Sequence, residues 1–439
     1  MTQVGISGEM AVMRTIAMIG VALMMSVAAW AQPVVDYVEA TDDSYAWELE
    51  GVEAMTGATL TNLNVTSQTW RGITWTHRVS LVVPEGCTDT STALLMITGG
   101  SPGGREMVLL SSAAQMLSAP VAVLGDIPNQ PLFDNLKEDA LISYTFQKYM
   151  ESGEADWPLL FPMTKAAVRT MDALEEYTAE AWDQPIESWI TTGASKRGWT
   201  TWFTGAVVPE RLAGIVPMVY DNLDLAAQMR HQIETWGAYS EQIHDYTEKG
   251  LQDLLQTDQG AQLAAMVDPY ALRDRIDVPK LIMTGTNDAY WPLDAANLYW
   301  DEITEPKYIL YVPNAGHGLP DFERVINGQV GFFKACTGRI PLPQMTWEFE
   351  DENYLKLTID PGDELDVVRV NEWEGHSDTR DFRGSEWHSR DAIEHEGKYV
   401  ARALHPAEGY TALLGEVIYE ADGREFPLST TVRIIGPKE

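Results

Sequence analysis

A mostly parallel α/β sheet covered by helices on both faces, followed by a smaller antiparallel β unit, is the fold class the sequence predicts. Three observations predict it. Short apolar runs recur at Ala93–Thr98, Ala119–Leu124, Ser188–Thr192, Ala213–Tyr220, Lys280–Thr284 and Tyr308–Val312, as strands buried on both faces require. Helix-compatible segments at 137–150, 162–180, 196–207, 223–272 and 321–336 fall between and after them, the alternation expected of a parallel sheet. Past Ile340-Pro341-Leu342-Pro343 the texture changes to short alternating segments broken by Pro-Gly and Asp-Gly turns, which reads as a β-sandwich over 341–439.

The amino-terminal stretch reads as a leader. Met13-Arg14 precedes an apolar run, Thr15 to Ala28, and Ala29-Trp30-Ala31 precedes Gln32. A short positive end, an apolar run too brief to span a bilayer and an A-x-A-like close describe a secretory signal peptide over 1–31. Residues 1–12 hold Glu9 and neither Lys nor Arg, so Met13 reads as the start. The expectation is a periplasmic or secreted chain, cleaved near Ala31 and left without a stable membrane anchor. From Asp42 to Pro84 the pattern is strand-like, with Thr59–Thr66 alternating and Val79–Val83 ended by Pro84.

Composition narrows the partners. With 30 basic against 65 acidic residues the formal charge is −35, which disfavours nucleic acid and anionic membrane. An apolar content of 45%, with 15 Trp and 17 Tyr in 439 residues, belongs to a folded chain with a large core. A small-molecule or peptide substrate is the partner expected. Cys87 and Cys336 either pair in an oxidising compartment or remain two small thiols.

The chemistry centres on Trp189-Ile190-Thr191-Thr192-Gly193-Ala194-Ser195-Lys196-Arg197-Gly198-Trp199. A strand ends at Gly193, a helix starts at Lys196, and one serine sits in the turn between, the setting of a nucleophile elbow. The usual spelling is G-x-S-x-G; here Arg197 occupies the second position after the serine and the glycine is displaced to Gly198. A serine hydroxyl needs a base, and the base needs a carboxylate to orient it. Two later strands end in Gly285-Thr286-Asn287-Asp288 and in Pro313-Asn314-Ala315-Gly316-His317-Gly318. Ser195, Asp288 and His317 thus fall in the order nucleophile, acid, base, each on a strand-end loop. Asp221, closing another strand, is the alternative acid. Oxyanion donors are expected at the backbone N–H of Lys196 and of Gly99 or Gly100. The Lys196 and Arg197 side chains either support developing charge or stand as solvated charges on the first helical turn. Asn129, Gln130, Arg197 and Tyr290 are expected beside the substrate.

The remaining histidines carry less. His77 reads as structural, and His231 and His244 fall in the 223–272 insertion, read as a lid with Trp236, Tyr239 and Tyr246. His376, His388, His395 and His405 have no ligand spacing, so neither a metal site nor a cofactor is expected.

Several stretches together resemble the PhoPQ-activated pathogenicity-related protein family of the α/β-hydrolase superfamily. They are Asp42-Asp43-Ser44-Tyr45-Ala46-Trp47, Thr66-Ser67-Gln68-Thr69-Trp70, Ile127-Pro128-Asn129-Gln130-Pro131, Pro162-Met163-Thr164-Lys165-Ala166-Ala167, Gly193 to Trp199 and Asn314-Ala315-Gly316-His317. The resemblance implies an exported α/β-hydrolase-like protein and supports Ser195, Asp288 and His317 as triad positions; the leader and the linker at 340–343 bound the hydrolase domain at 32–340. The G-x-S-[K/R]-x-G spelling is also similar to that of glucuronoyl esterases, where the basic residue after the serine aids the oxyanion hole. The function expected is an exported serine hydrolase acting on an ester or amide through an acyl-enzyme. The alternatives are a non-catalytic hydrolase-fold binding or signalling protein, and a peptidase acting on peptide N-termini.

Overall fold

The apolar runs form the centre of the sheet. In the structure, a computed structural model that describes residues 33–101 and 103–438, they are β4 (Thr92–Ile97), β5 (Val121–Leu124), β6 (Ser188–Ala194), β7 (Leu212–Met218), β8 (Lys280–Gly285) and β9 (Lys307–Val312). The leader expected at 1–31 lies outside the described residues. β5, β4, β6, β7, β8 and β9 lie side by side in that order, all parallel. Before them come β1 (Ala46–Met55), β2 (Ala58–Trp70) and β3 (Ile73–Pro84), an antiparallel meander that joins the sheet through β3 and β5. These strands are longer than the short segments expected.

Helices cover both faces. A short helix, α1 (Pro33–Glu39), precedes the sheet; α2 (Gly104–Leu117), α3 (Glu138–Ser152), α4 (Leu160–Ala181) and α5 (Lys196–Val207) connect its strands, and α10 (Phe322–Cys336) follows β9. Alternate strand residues face opposite ways. Trp189 and Ile282 pack with Met163, Ala167 and Trp202 of α4 and α5, whereas Ile190, Leu281 and Met283 pack with Leu110, Ala114 and Phe333 of α2 and α10. Between β7 and β8 lies the helical insertion expected over 223–272, made of α6 (Leu225–Trp236), α7 (His244–Thr247), α8 (Leu251–Leu254) and α9 (Asp258–Val267).

The carboxy-terminal region holds two antiparallel sheets, one of which continues the central sheet. It contains β10 (Thr346–Asp351), β11 (Leu355–Asp360), β12 (Asp366–Ser377), β13 (Trp387–Asp391), β14 (Ile393–His395), β15 (Lys398–Ala403), β16 (Tyr410–Ala421), β17 (Arg424–Ser429) and β18 (Arg433–Ile435). β17 pairs with β9 at Ser429 and Ile309, so β17, β16, β12 and β13 continue the central sheet outward. The physical reason is α10, which covers both strands. A Cβ on its Gly331 would lie 2.3 Å from the Phe426 ring of β17, so only glycine permits that approach. β10, β11, β15 and β14 form a second sheet whose Leu355, Leu357 and Ile359 pack with Leu413 and Val417 of β16. Cys87 and Cys336 are both free thiols; Cys87 donates to the Asp89 carbonyl, and burial raises the pKa of Cys336.

Candidate active site

Ser195 stands where β6 gives way to α5, at φ 59° and ψ −125°, a strained setting for a residue with a Cβ. Its N–H donates to the Met218 carbonyl on the next strand at 2.9 Å, and its carbonyl accepts from Trp199 at 3.0 Å. Two glycines allow the turn to close. A Cβ on Gly193 would lie 2.6 Å from the Arg197 carbonyl, and one on Gly198 would lie 2.7 Å from the Met218 carbonyl. The displaced glycine therefore fills the steric requirement that the x-G ending usually meets, and Arg197 does not distort the turn. All twelve residues of α5 are buried, and its N-terminus, where the Lys196 N–H has no carbonyl one turn back, meets the serine.

Arg197 turns away from the serine. Its Nε donates to the Ile127 carbonyl at 2.6 Å, and its two Nη groups reach the two Glu138 oxygens at 2.8 and 2.6 Å. The guanidinium passes so close to Gly99 that a Cβ there would lie 2.3 Å from it. This one side chain thereby ties together the loops after β4 and β5, the start of α3 and the elbow. Lys196 joins the same cluster, its Nζ 3.0 Å from Glu138 and 2.9 Å from Asp139. Burial opposes the charge on Glu138, yet Arg197, Gln130 and Lys196 outweigh it and bring the pKa to about 2. Burial likewise opposes the charge on Lys196, and Asp139 with Glu138 overturns it and raises the pKa. Gln130 accepts from the Glu138 N–H at 2.8 Å and donates back to its carboxylate. Gln130 and Arg197, expected beside the substrate, are thus engaged with Glu138, while Asn129 is half-buried in the loop after β5. Gly100, after β4, accepts from Thr98 Oγ1 at 2.7 Å.

Asp288 and His317 meet across two strand ends. His317 Nδ1 lies 2.8 and 3.1 Å from the two Asp288 oxygens, and Asp288 also accepts the Tyr290 N–H at 2.8 Å. The Tyr290 ring lies almost flat on the imidazole, with centroids 4.0 Å apart. His317 Nε2 is buried and has no hydrogen-bond partner; no hydrogen bond joins it to the Ser195 hydroxyl. Asp221 takes no part in this pair. It accepts from the Tyr299 hydroxyl at 2.7 Å in the core, and burial raises its pKa to about 7.

Two asparagines of these loops brace them against the carboxy-terminal region. Asn287 Nδ2 donates to the Ser385 carbonyl at 2.7 Å and lies within reach of the Phe382 and Arg383 carbonyls. Asn314 holds both backbone groups of Trp387. The same segment reaches the insertion: Arg380 pairs with Asp294 at 2.8 Å, and Asp294 with His231 of α6 at 2.6 Å. His77 is fully buried against Ser67, and burial lowers its pKa to about 4.

Above the serine lies a cavity of about 100 Å³. Ser195, Lys196, Asp139 and Tyr290 stand on its wall, and Leu225, Met229, Tyr246 and Leu263 of the insertion also line it. Tyr246 donates to Asp139 at 3.0 Å. Trp236 lies outside, under the Arg383 guanidinium at 4.2 Å.

A parallel sheet in this strand order, with a serine on a strand–helix elbow, defines a protein of the α/β-hydrolase fold. Two solved acetyl xylan esterases are similar to it in fold. The enzyme from Thermoanaerobacterium sp. JW/SL YS485 has a TM-score of 0.50 at 14% identity, covering 71% of this chain and 93% of its own. The enzyme from Paenibacillus sp. R4 has a TM-score of 0.50 at 12% identity, covering 70% and 93%. The chain belongs to the PhoPQ-activated pathogenicity-related protein family, which residues 34–383 match. Autocrine proliferation repressor protein A of Dictyostelium discoideum is 35% identical over 398 residues, which are 82% of this chain and 78% of that protein.

Proposed function

We propose that the protein is an exported serine hydrolase that cleaves an ester or amide through an acyl-enzyme. The observation that carries this reading is the His317–Asp288 pair, which leaves Nε2 buried and unpartnered on the loop after β9. Ser195 Oγ attacks the substrate carbonyl, its proton passing to His317 Nε2 as the O–C bond forms. His317 returns that proton to the leaving oxygen or nitrogen as the acyl bond to it breaks. Water, deprotonated by the same nitrogen, then releases the acid and restores the serine. Asp288 holds the ring and offsets its positive charge. The N–H groups of Lys196 and of Gly100 or Gly99 take the oxyanion, at the positive end of α5. In free enzymes the contact between nucleophile and base is often long and tightens with substrate. Because two structures similar in fold are esterases, an ester is the first bond to test. Turnover of p-nitrophenyl esters by the wild type, reduced at least about a thousandfold by Ser195→Ala, is the expected result; equal turnover by both removes the assignment.

The name of the amoebal relative favours a second reading, a secreted signalling protein that keeps the hydrolase fold. Full growth-repressing activity of the Ser195→Ala protein on responsive cells would support it over the hydrolase.

A further inference from the structure

The cavity beside Ser195 has two unlike ends. Among the described residues its only charged lining groups, Lys196 and Asp139, are 2.9 Å apart and neutralise each other beside the serine. Beyond them the wall is mostly apolar, interrupted by the uncharged polar side chains of Asn222 and Gln252. Phe146, Trp199, Tyr220 and Trp291 supply one side, with Trp199 and Tyr220 stacked at 4.9 Å, and Leu225 and Leu263 of the insertion supply the other. An ion entering there would lose its hydration and meet no unpaired opposite charge, whereas methylene groups or a ring would gain from burial.

Position tells which half of a substrate belongs there. His317 must protonate the leaving group, so the leaving group lies on the imidazole side of the serine. The imidazole is not on the cavity wall; the Tyr290 ring, which is, stacks on it at 4.0 Å. The Tyr290 ring therefore stands between the base and the cavity, which keeps the departing alcohol or amine out of it and leaves it to the acyl half. Its volume of about 100 Å³ compares with the roughly 150 Å³ of an apolar protein cavity that accommodates benzene.

We infer that this cavity is the acyl subsite, taking an uncharged acid moiety of roughly four to eight carbons or a single aromatic ring. The inference rests on the hydrolase reading above. An acetyl group leaves the apolar end unfilled, and a long lipid chain overruns it. Each methylene that enters raises kcat/KM by about three- to fourfold until the space is full.

A p-nitrophenyl series of acetate, butyrate, hexanoate, octanoate, palmitate, benzoate and hemisuccinate reads this directly. Expected is a rise of at least about tenfold from acetate to the best of butyrate, hexanoate, octanoate or benzoate, with palmitate and hemisuccinate poor. Ala264→Phe, which fills the wall from α9, should lower the hexanoate-to-acetate ratio at least about tenfold. Leu263→Ala, which enlarges it, should move the optimum to a longer chain. A flat series, or a preference for acetate, palmitate or hemisuccinate, overturns the inference. So does a dependence on the alcohol in an alkyl acetate series without one on the acid. The two readings fail separately. Should no ester turn over, tryptophan fluorescence of the Ser195→Ala protein titrated with hexanamide and acetamide still reads the cavity. Binding of hexanamide, weakened by Ala264→Phe, keeps the subsite and removes the hydrolase; no binding of either removes the subsite.

Discussion

Asn314 holds Trp387 as a neighbouring strand would. Its side-chain carbonyl accepts the Trp387 N–H at 2.8 Å, and its side-chain amide donates to the Trp387 carbonyl at 2.9 Å. The loop that ends in His317 is thereby fixed to β13, and Asn287 fixes the loop that ends in Asp288 to the segment before β13. The carboxy-terminal region sets the place of both Asp288 and His317.

Asn314→Ala removes both bonds at one stroke. On the hydrolase reading kcat falls about tenfold with little change in KM, because the base moves while the cavity does not. Stability falls by about 1 kcal/mol, since Asn314 itself is exposed. Steady-state kinetics beside urea unfolding separates these effects; a change in KM alone contradicts the positioning role.

The buried Arg197 cluster should be intolerant of change. Arg197→Ala leaves Glu138 without its bidentate partner and the Ile127 carbonyl without its donor, an expected loss of about 2–4 kcal/mol. Arg197→Lys recovers little of it, because an ammonium cannot span both oxygens and the carbonyl. Glu138 has its pKa depressed to about 2 from 4.5, so its stabilisation is complete above about 4.5 and is lost as pH falls toward 2. Glu138→Gln should flatten that acid limb in a pH series of unfolding midpoints.

Gly198→Ala tests the displaced glycine. The added methyl meets the carbonyl of Met218, the same oxygen that accepts the Ser195 N–H. A backbone contact cannot swing aside, so a loss of about 2 kcal/mol or more and a large fall in Ser195 reactivity are expected. Wild-type stability and turnover in this variant would show that the turn has more room than its geometry indicates.

Burial puts an opposite slope on the neutral side. Asp221 titrates near 7 when folded, through burial first and the nearby Asp288 and Asp294 next, and near 3.8 when unfolded. Between those values the folded protein holds the extra proton, so stability falls as pH rises from about 4 to 7 and is level above. Asp221→Asn should stabilise by about 1–3 kcal/mol at pH 8 and by less at pH 5. Asp268, raised to about 7 by its own burial, keeps its share of the slope. Urea midpoints at the two pH values decide it; an equal change at both contradicts the account.

Ser195, Asp288 and His317 are legible in the sequence because each follows an apolar strand and a turn-forming residue, and those are local signals. The partners of Lys196 and Arg197 are not. Glu138 and Asp139 open α3, and only the packing of α3 against the elbow turns them toward Lys196 and Arg197. β17 escapes because Pro427 interrupts its pattern, and its place beside β9 depends on α10 covering both strands. Arg197 reads as a misfit in the elbow motif until its side chain is seen to run past Gly99 to Glu138.

The most direct measurement is intact mass after exposure to a fluorophosphonate, with the adduct mapped by proteolysis. The account predicts one adduct per chain, on Ser195, absent from Ser195→Ala and strongly slowed in His317→Ala. An unlabelled wild type that is folded, or an adduct that persists in Ser195→Ala, would contradict it.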